Sequence, residues 1–586
     1  MKSATHSRIN QRTARKKKIG DRAPARPRLR LIALSLVLIL LCGLGLRLRG
    51  LSHGLGEGEV YHPDTPRLMW ASRVFLGGTY FFRVNHPDYD GYPYFYSHLV
   101  EYLWRGTRAI TSFFSALLLG ADHSGEPLSG EHLTITLFWL ARLTNVVLST
   151  LAILIVYRIA ARNLDPTTGL IAAGLLALSP MNIATAHFAT NDTMVCFFTI
   201  FTVLLALRIC TAGLWPHYLL GGILVACAFS AKYHAGIVGL TCLLAHVLRY
   251  CPPKKALTKE SLSRLALMAA AFFITFLLVN PCFLVSPGKA FHDFRKYCQY
   301  IPTAKLTASQ MRMAFFAKAQ LSFTRNFPVL VRSVGPIISV LAFAGLARAF
   351  FRGKRLVVLA SFPALYLLLT FLSKPIQQRF YLAALLPTMF LLAAAFVVEL
   401  ARIKKVRPVT ITAGVLVLLL AFFFLLKSSL TQVFFFSHSD TRNCAKRWAS
   451  QNIPPSYEIK PGEYTFALVR PQEPPSGYRG TLFLSSSLRP AIPPEDSFLL
   501  KAFDLEEDAL PTFRNPRIEI YAQPSPLLRE GFFLPTYQRI PSRAGSELIF
   551  AHGRTFYQDE KMIQFGADRP LSRILVSSQR IDSAIV

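Results

Sequence analysis

Asp64 lies in YHPDTPR, with Arg67 three positions further on. A carboxylate beside a guanidinium stays ionised, which suits a general base that takes a proton from a hydroxyl. A surface ion pair of little energetic weight has the same spacing. The HPD triplet occurs again at 86–88, so spacing alone leaves Asp64 and Asp88 both open as the base. A second carboxylate, Asp192, stands in ATAHFATNDTMVCFF between two apolar runs. A charge is costly there without a partner. Asp192 or Asn191 could also cap the helix that follows. Lys232 in FSAKYHAG and Arg379 in KPIQQRFYL fall at similar boundaries. Such cations can hold a phosphate, or simply snorkel to the interface. His62, His86, His187 and His234 show no metal-ligand spacing, and the nine cysteines form no CxxC pair. Neither a zinc site nor a disulfide framework is expected. No cofactor is required by these patterns, and a divalent metal is left open.

These side chains must be positioned by a membrane protein. Of 586 residues, 52% are hydrophobic and 17% charged, against about 25% charged in soluble proteins. The mean hydropathy of +0.36 comes from long apolar blocks, which excludes a soluble globular enzyme. Allowing about 20 apolar residues per crossing, eleven spans are expected near 31–46, 134–157, 168–186, 193–209, 216–231, 235–249, 265–284, 329–347, 356–373, 380–399 and 408–426. Eleven basic residues against the single acid Asp21 occupy 1–30, a tail expected in the cytoplasm. Later inside loops carry Arg158 and Arg162, then Arg249, Lys254, Lys255, Lys259 and Arg264, then Arg348, Arg352, Lys354 and Arg355, then Arg402, Lys404, Lys405 and Arg407. Short outside loops carry few, which supports the phase. The net charge of +33 therefore reads as topology, and nucleic acid is not expected as a partner.

The expected membrane domain, 31–436, has two long outside loops. The first, 47–133, holds Asp64 and ends in an amphipathic stretch near Leu119 that suits a membrane surface. The second, 285–328, carries seven Lys and Arg against Asp293, from Lys289 and Arg295 to Arg325. It reads either as a solvated face or as a surface drawn to anionic lipid headgroups. At about Ser437 the composition changes, with 17 of the 32 acids from Asp440 onward. A small mixed α/β domain over 437–586 is expected on the outside. SDTRNCAKRWASQNIPP should form its first helix, and 464–470, 480–487 and 517–522 its strands.

The chain resembles the C-type glycosyltransferases, in the group of protein O-mannosyltransferases and lipid A aminoarabinose transferases. The resemblance covers roughly 30–450. It rests on the HPD after the first span, RLTNVVLSTLAILIVYRIAARNLDPTTGLIAAGLLALSP leading to HFATND, GILVACAFSAKYHAGI, VNPCFLVSPGKAF and RFYLAALLP. It implies a polyprenyl-phosphate sugar as donor and a protein, lipid or glycan acceptor, with membrane lipids as surroundings; a bacterial inner membrane is the expected location, ahead of an endoplasmic reticulum. Carried over by motif, Asp64 is the base, Asp192 the second acid and Arg67 the matching arginine. The chain departs in having Thr65 where an acid is usual. It also has GYP at 91–93, with Tyr92, where aminoarabinose transferases show Glu-Lys-Pro. Two other functions are weaker. An oligosaccharide transferase or polymer ligase would carry a Trp-Trp-Asp signature, whereas the C-terminal part has only Trp448. A transporter would show inverted repeats, and none is visible.

Overall fold

The computed structural model describes residues 26–54, 94–119, 130–251, 258–298, 324, 327–328, 330–331, 333–372, 383–402, 407–437, 440–453 and nine strands beyond. With no water in a bilayer core, every backbone amide must be satisfied within its own segment, so apolar blocks of this kind become helices. In order these are α1 (Arg26–Leu48), α2 (Phe95–Leu119), α3 (Gly130–Asn163), α4 (Pro166–Ala177), α5 (Pro180–His187), α6 (Asp192–Thr211), α7 (Trp215–Ala231), α8 (Val238–Arg249) and α9 (Lys259–Val279). Two short helices follow, α10 (Cys282–Val285) and α11 (Pro287–Cys298). Then come α12 (Pro336–Ala349), α13 (Lys354–Leu372), α14 (Leu386–Leu400), α15 (Arg407–Phe436) and α16 (Thr441–Asn452).

A helix overlaps each of the eleven apolar stretches. By length and composition, five helical stretches among the described residues can cross a membrane unaided, or six if one bent pair counts as a span. That pair, α4 and α5, occupies the stretch expected as one span over 168–186 and is bent by 52°. The cause is local: Leu178 and Ser179 interrupt the helix, and Pro180 restarts it with Ser179 as its cap. The last of the apolar helices, α15, runs ten residues past the expected 426.

The apolar helices are buried against one another by small residues. A Cβ on Gly222 of α7 would stand 2.2 Å from the Met268 carbonyl oxygen of α9, so only glycine permits that crossing. Gly50, at φ +82°, allows the chain leaving α1 to turn against Phe436, whose backbone a Cβ would meet at 2.7 Å. The amphipathic stretch of the first loop is the helix α2.

After α15, Asp440 caps α16 by accepting from the Arg442 amide. β1 (Tyr457–Lys460), β2 (Gly480–Ser486), β3 (Phe498–Phe503) and β4 (Ile518–Ala522) form a sheet in the order β1-β2-β4-β3. β1 and β2 are parallel, and the other neighbours antiparallel. Period-two residues Leu482, Leu484, Ile518 and Ile520 face one side and pack on Ala445, Trp448 and Ala449 of α16. Strands were not expected at 457–460 or 498–503, and the stretch 464–470 lies outside the described residues. Further short strands form a three-stranded sheet (Ile549–Ala551, Thr555–Gln558, Lys561–Gln564) and a pair (Arg573–Val576, Ile581–Ile585).

Candidate active site

The break between α4 and α5 aims the chain at the site. Carbonyls at the end of α4 are met by Arg47 of α1, whose guanidinium donates to Ala177 O at 3.0 Å and Leu176 O at 3.2 Å. Its Nε donates to Ser149 Oγ of α3 at 2.7 Å. Arg47 is fully buried, and these bonds are what make a guanidinium tolerable there. α5 ends at His187, which stacks on Phe436 at 4.1 Å and reaches Arg49 O at 2.9 Å through Nε2.

Residues 188–191 then turn into α6. Asp192 is the first residue of that helix, and Asn191 stands at the cap position without a side-chain capping bond. Helix capping therefore does not account for the carboxylate. Its Oδ2 accepts from Thr190 Oγ1 at 3.1 Å, and its Oδ1 accepts from Lys232 Nζ at 2.7 Å. Lys232 follows the last residue of α7 in extended conformation, which carries its side chain back across to α6. Asn191 Nδ2 donates to Ala231 O at 2.6 Å and ties the two chain segments together beside the ion pair. The Asp192 side chain is 2% exposed and that of Lys232 7%. The positive end of α6 favours a carboxylate in its first turn. Next in the chain after Lys232, Tyr233 packs against Phe229 at 5.1 Å and Phe294 of α11 at 4.8 Å.

The sequence singled out Asp192, Asn191 and Lys232 separately, and the structure brings them together. It also shows polar groups the sequence reading missed. Asn145 of α3 donates to Phe188 O at 2.8 Å and Thr190 O at 2.9 Å, holding the turn before Asp192. Tyr96, in the first turn of α2, donates to Ala141 O at 2.8 Å. One turn on, Glu101 is buried and accepts from Arg105 Nε at 2.9 Å, with His98 Nδ1 3.7 Å from its other oxygen. The spacing of 98, 101 and 105 on one helix was the available signal. Asp64, Arg67, His62, Asp88, Tyr92 and Arg379 lie outside the described residues. Among the described residues no three His, Cys, Asp or Glu side chains converge on a metal position. His187 is engaged with backbone and Phe436, and His234 stands against Tyr366 at 5.7 Å.

Chemically, the arrangement is a fixed ammonium held by a carboxylate at the end of a broken helix pair. Such a group can bind an oxyanion with its charge already oriented.

Residues 132–279 match the family model described as dolichyl-phosphate-mannose-protein mannosyltransferase. This stretch runs from α3 to the end of α9 and contains the whole Asp192–Lys232 arrangement. Similar solved structures include the oligosaccharyltransferase of Archaeoglobus fulgidus in its apo form, at 15% identity and TM-score 0.42 over 72% of this chain. The chain spans 58% of that enzyme's length. ArnT from Cupriavidus metallidurans is similar in its apo state at 13% identity and TM-score 0.46, over 75% of this chain and 83% of ArnT. The same enzyme bound to undecaprenyl phosphate gives 15% identity and TM-score 0.41, over 73% of each chain. No curated protein matches the chain.

Proposed function

We infer that this integral membrane protein, whose 132–279 segment fits a mannosyltransferase family, is a glycosyltransferase, and we propose the following reaction for it. A monosaccharide passes from a polyprenyl-phosphate carrier to an acceptor hydroxyl on the extracytoplasmic side. The acceptor oxygen bonds to the anomeric carbon as the bond from that carbon to the phosphate oxygen breaks, with inversion. Asp64 takes the acceptor proton and Arg67 orients Asp64. Polyprenyl phosphate leaves with the bonding electrons, and cations stabilise its charge. Lys232 is one of these, and Arg379 and the basic 285–328 loop are the others.

The observation that carries the reading is the Lys232–Asp192 bond of 2.7 Å within the family-matched segment. A lone ammonium would move with its four-carbon stem, whereas one anchored by a buried carboxylate meets the phosphate at a fixed place. Asp192 then serves the reaction through Lys232. The soluble part from 437 onward, on the same side as Asp64, would receive the acceptor.

The test uses purified protein in liposomes with a polyprenyl-phosphate monosaccharide and a mixture of protein and lipid acceptors. Release of free polyprenyl phosphate together with a sugar mass added to an acceptor is the expected result. Movement of intact donor across the bilayer with no release would make the protein a transporter instead.

A further inference from the structure

Most hydroxyls along a membrane helix bond to their own backbone, and α3 shows this at Thr144, which donates to Leu140 O, and Thr150, which donates to Val146 O. Three other polar side chains of the same helix reach outward. Arg142 donates to Leu51 O at 2.6 Å and His53 O at 2.8 Å, in the turn where the first outside loop begins. Asn145 donates to Phe188 O and Thr190 O, in the turn that presents Asp192. Ser149 accepts from Arg47, which itself holds the end of α4. All three are buried. The spacing of 142, 145 and 149 places them on one face of the helix, one above another.

We propose that Arg142, Asn145 and Ser149 form a polar spine on α3 that sets the register of the two outside turns leading to Asp64 and Asp192, with Asn145 the positioning residue for Asp192. The proposal rests on the functional reading above for what the two acids do, but its structural content stands apart from that reading. Each member of the spine binds backbone carbonyl groups or a side chain that does so. The spine therefore fixes the main-chain position of the turns. Because the contacts sit on one rigid helix, the two turns are measured from a common ruler. Beside it, Tyr96 bonds to Ala141 O, so α2 is seated on the same stretch of α3.

The experiment compares wild type with Asn145→Leu and Arg142→Lys, purified whole in lipid nanodiscs, by hydrogen exchange and by turnover. Asn145→Leu should raise amide exchange over 188–192 and leave 49–54 as in wild type, and Arg142→Lys should do the reverse. Turnover in Asn145→Leu should fall about tenfold or more with KM changed by less than about twofold, the pattern of a misplaced group. Asn145→Ser, a milder change, should show the same direction if the leucine variant does not fold. Exchange that rises in both turns alike in either variant, or that stays at the wild-type level in both turns, overturns the spine. An inactive wild type would refute the functional reading while the exchange data still decide the register claim.

Discussion

At the scale of single residues, the account turns on whether the buried ion pair serves chemistry or only folding. Removing one partner strands the other charge in an apolar setting, which typically costs about 3–5 kcal/mol, while removing both is often nearly neutral. Asp192→Asn alone should therefore lower both stability and turnover. The double variant Asp192→Leu with Lys232→Leu should recover most of the melting temperature and still lack turnover. Recovery of both would reduce the pair to a structural feature. Asp440 gives a second residue-scale test. Burial alone would raise its carboxyl, but Arg442, at 2.8 and 2.9 Å, and His53 hold it well below the usual carboxylate range. A carboxyl held low in the folded state adds stability that is complete above the unfolded value of about 4 and drains away as pH falls below it. Wild type should thus melt above Asp440→Asn at neutral pH, with the gap closing on acidification below about pH 4. A gap independent of pH would contradict that assignment. Of these residues, Asp192 and Lys232 were each legible because a charge at the edge of an apolar run stands out. Their pairing was not, since 40 positions separate them and only the return of α7 beside α6 joins them. Asn145 was silent for the opposite reason: one polar residue within a helix looks like any other until its partners are known.

At the scale of elements, apolar length predicts where helices lie and says little about how they break or cross. The stretch 168–186 reads as one span by hydropathy, yet LSP at 178–180 ends α4 and begins α5 at a 52° bend. The proline was visible; the consequence depended on Arg47, which donates to carbonyls at the break. Helix crossings are set by residues too small to mark a hydropathy profile. At the α7–α9 crossing, Gly222→Ala must push a Cβ into the Met268 carbonyl, and overpacking of this kind costs about 1–3 kcal/mol. A lowered melting temperature with unchanged membrane insertion is the expected outcome. An unaltered melting temperature would show that the two helices can part without loss. In the C-terminal part the helix 441–452 followed directly from the sequence, as did strands at 480–486 and 518–522. Tyr457–Lys460 gave no signal, because a four-residue strand beside two prolines is too short for alternation to show.

At the scale of the whole molecule, the proposed sides rest on the charge distribution. The ends predicted to lie inside carry ion pairs such as Arg264 with Glu260, and Arg348 and Arg352 with Glu399. The proposed site at Asp192, the start of the first loop and Asp440 are gathered at the opposite end of the same helices, where His187, Phe436 and Arg49 meet. Single cysteines placed at 60 and at the exposed position 450 in a variant lacking native thiols should react with an impermeant reagent from the extracytoplasmic side, and one placed at 256 only after permeabilisation. Labelling with the sides exchanged would invert the whole assignment. The direct test of the central claim is release of polyprenyl phosphate from a polyprenyl-phosphate sugar by wild type, Asp64→Asn and Asp88→Asn, each at equal folded concentration. The account predicts loss of release in Asp64→Asn and retention in Asp88→Asn; full release by Asp64→Asn would contradict it.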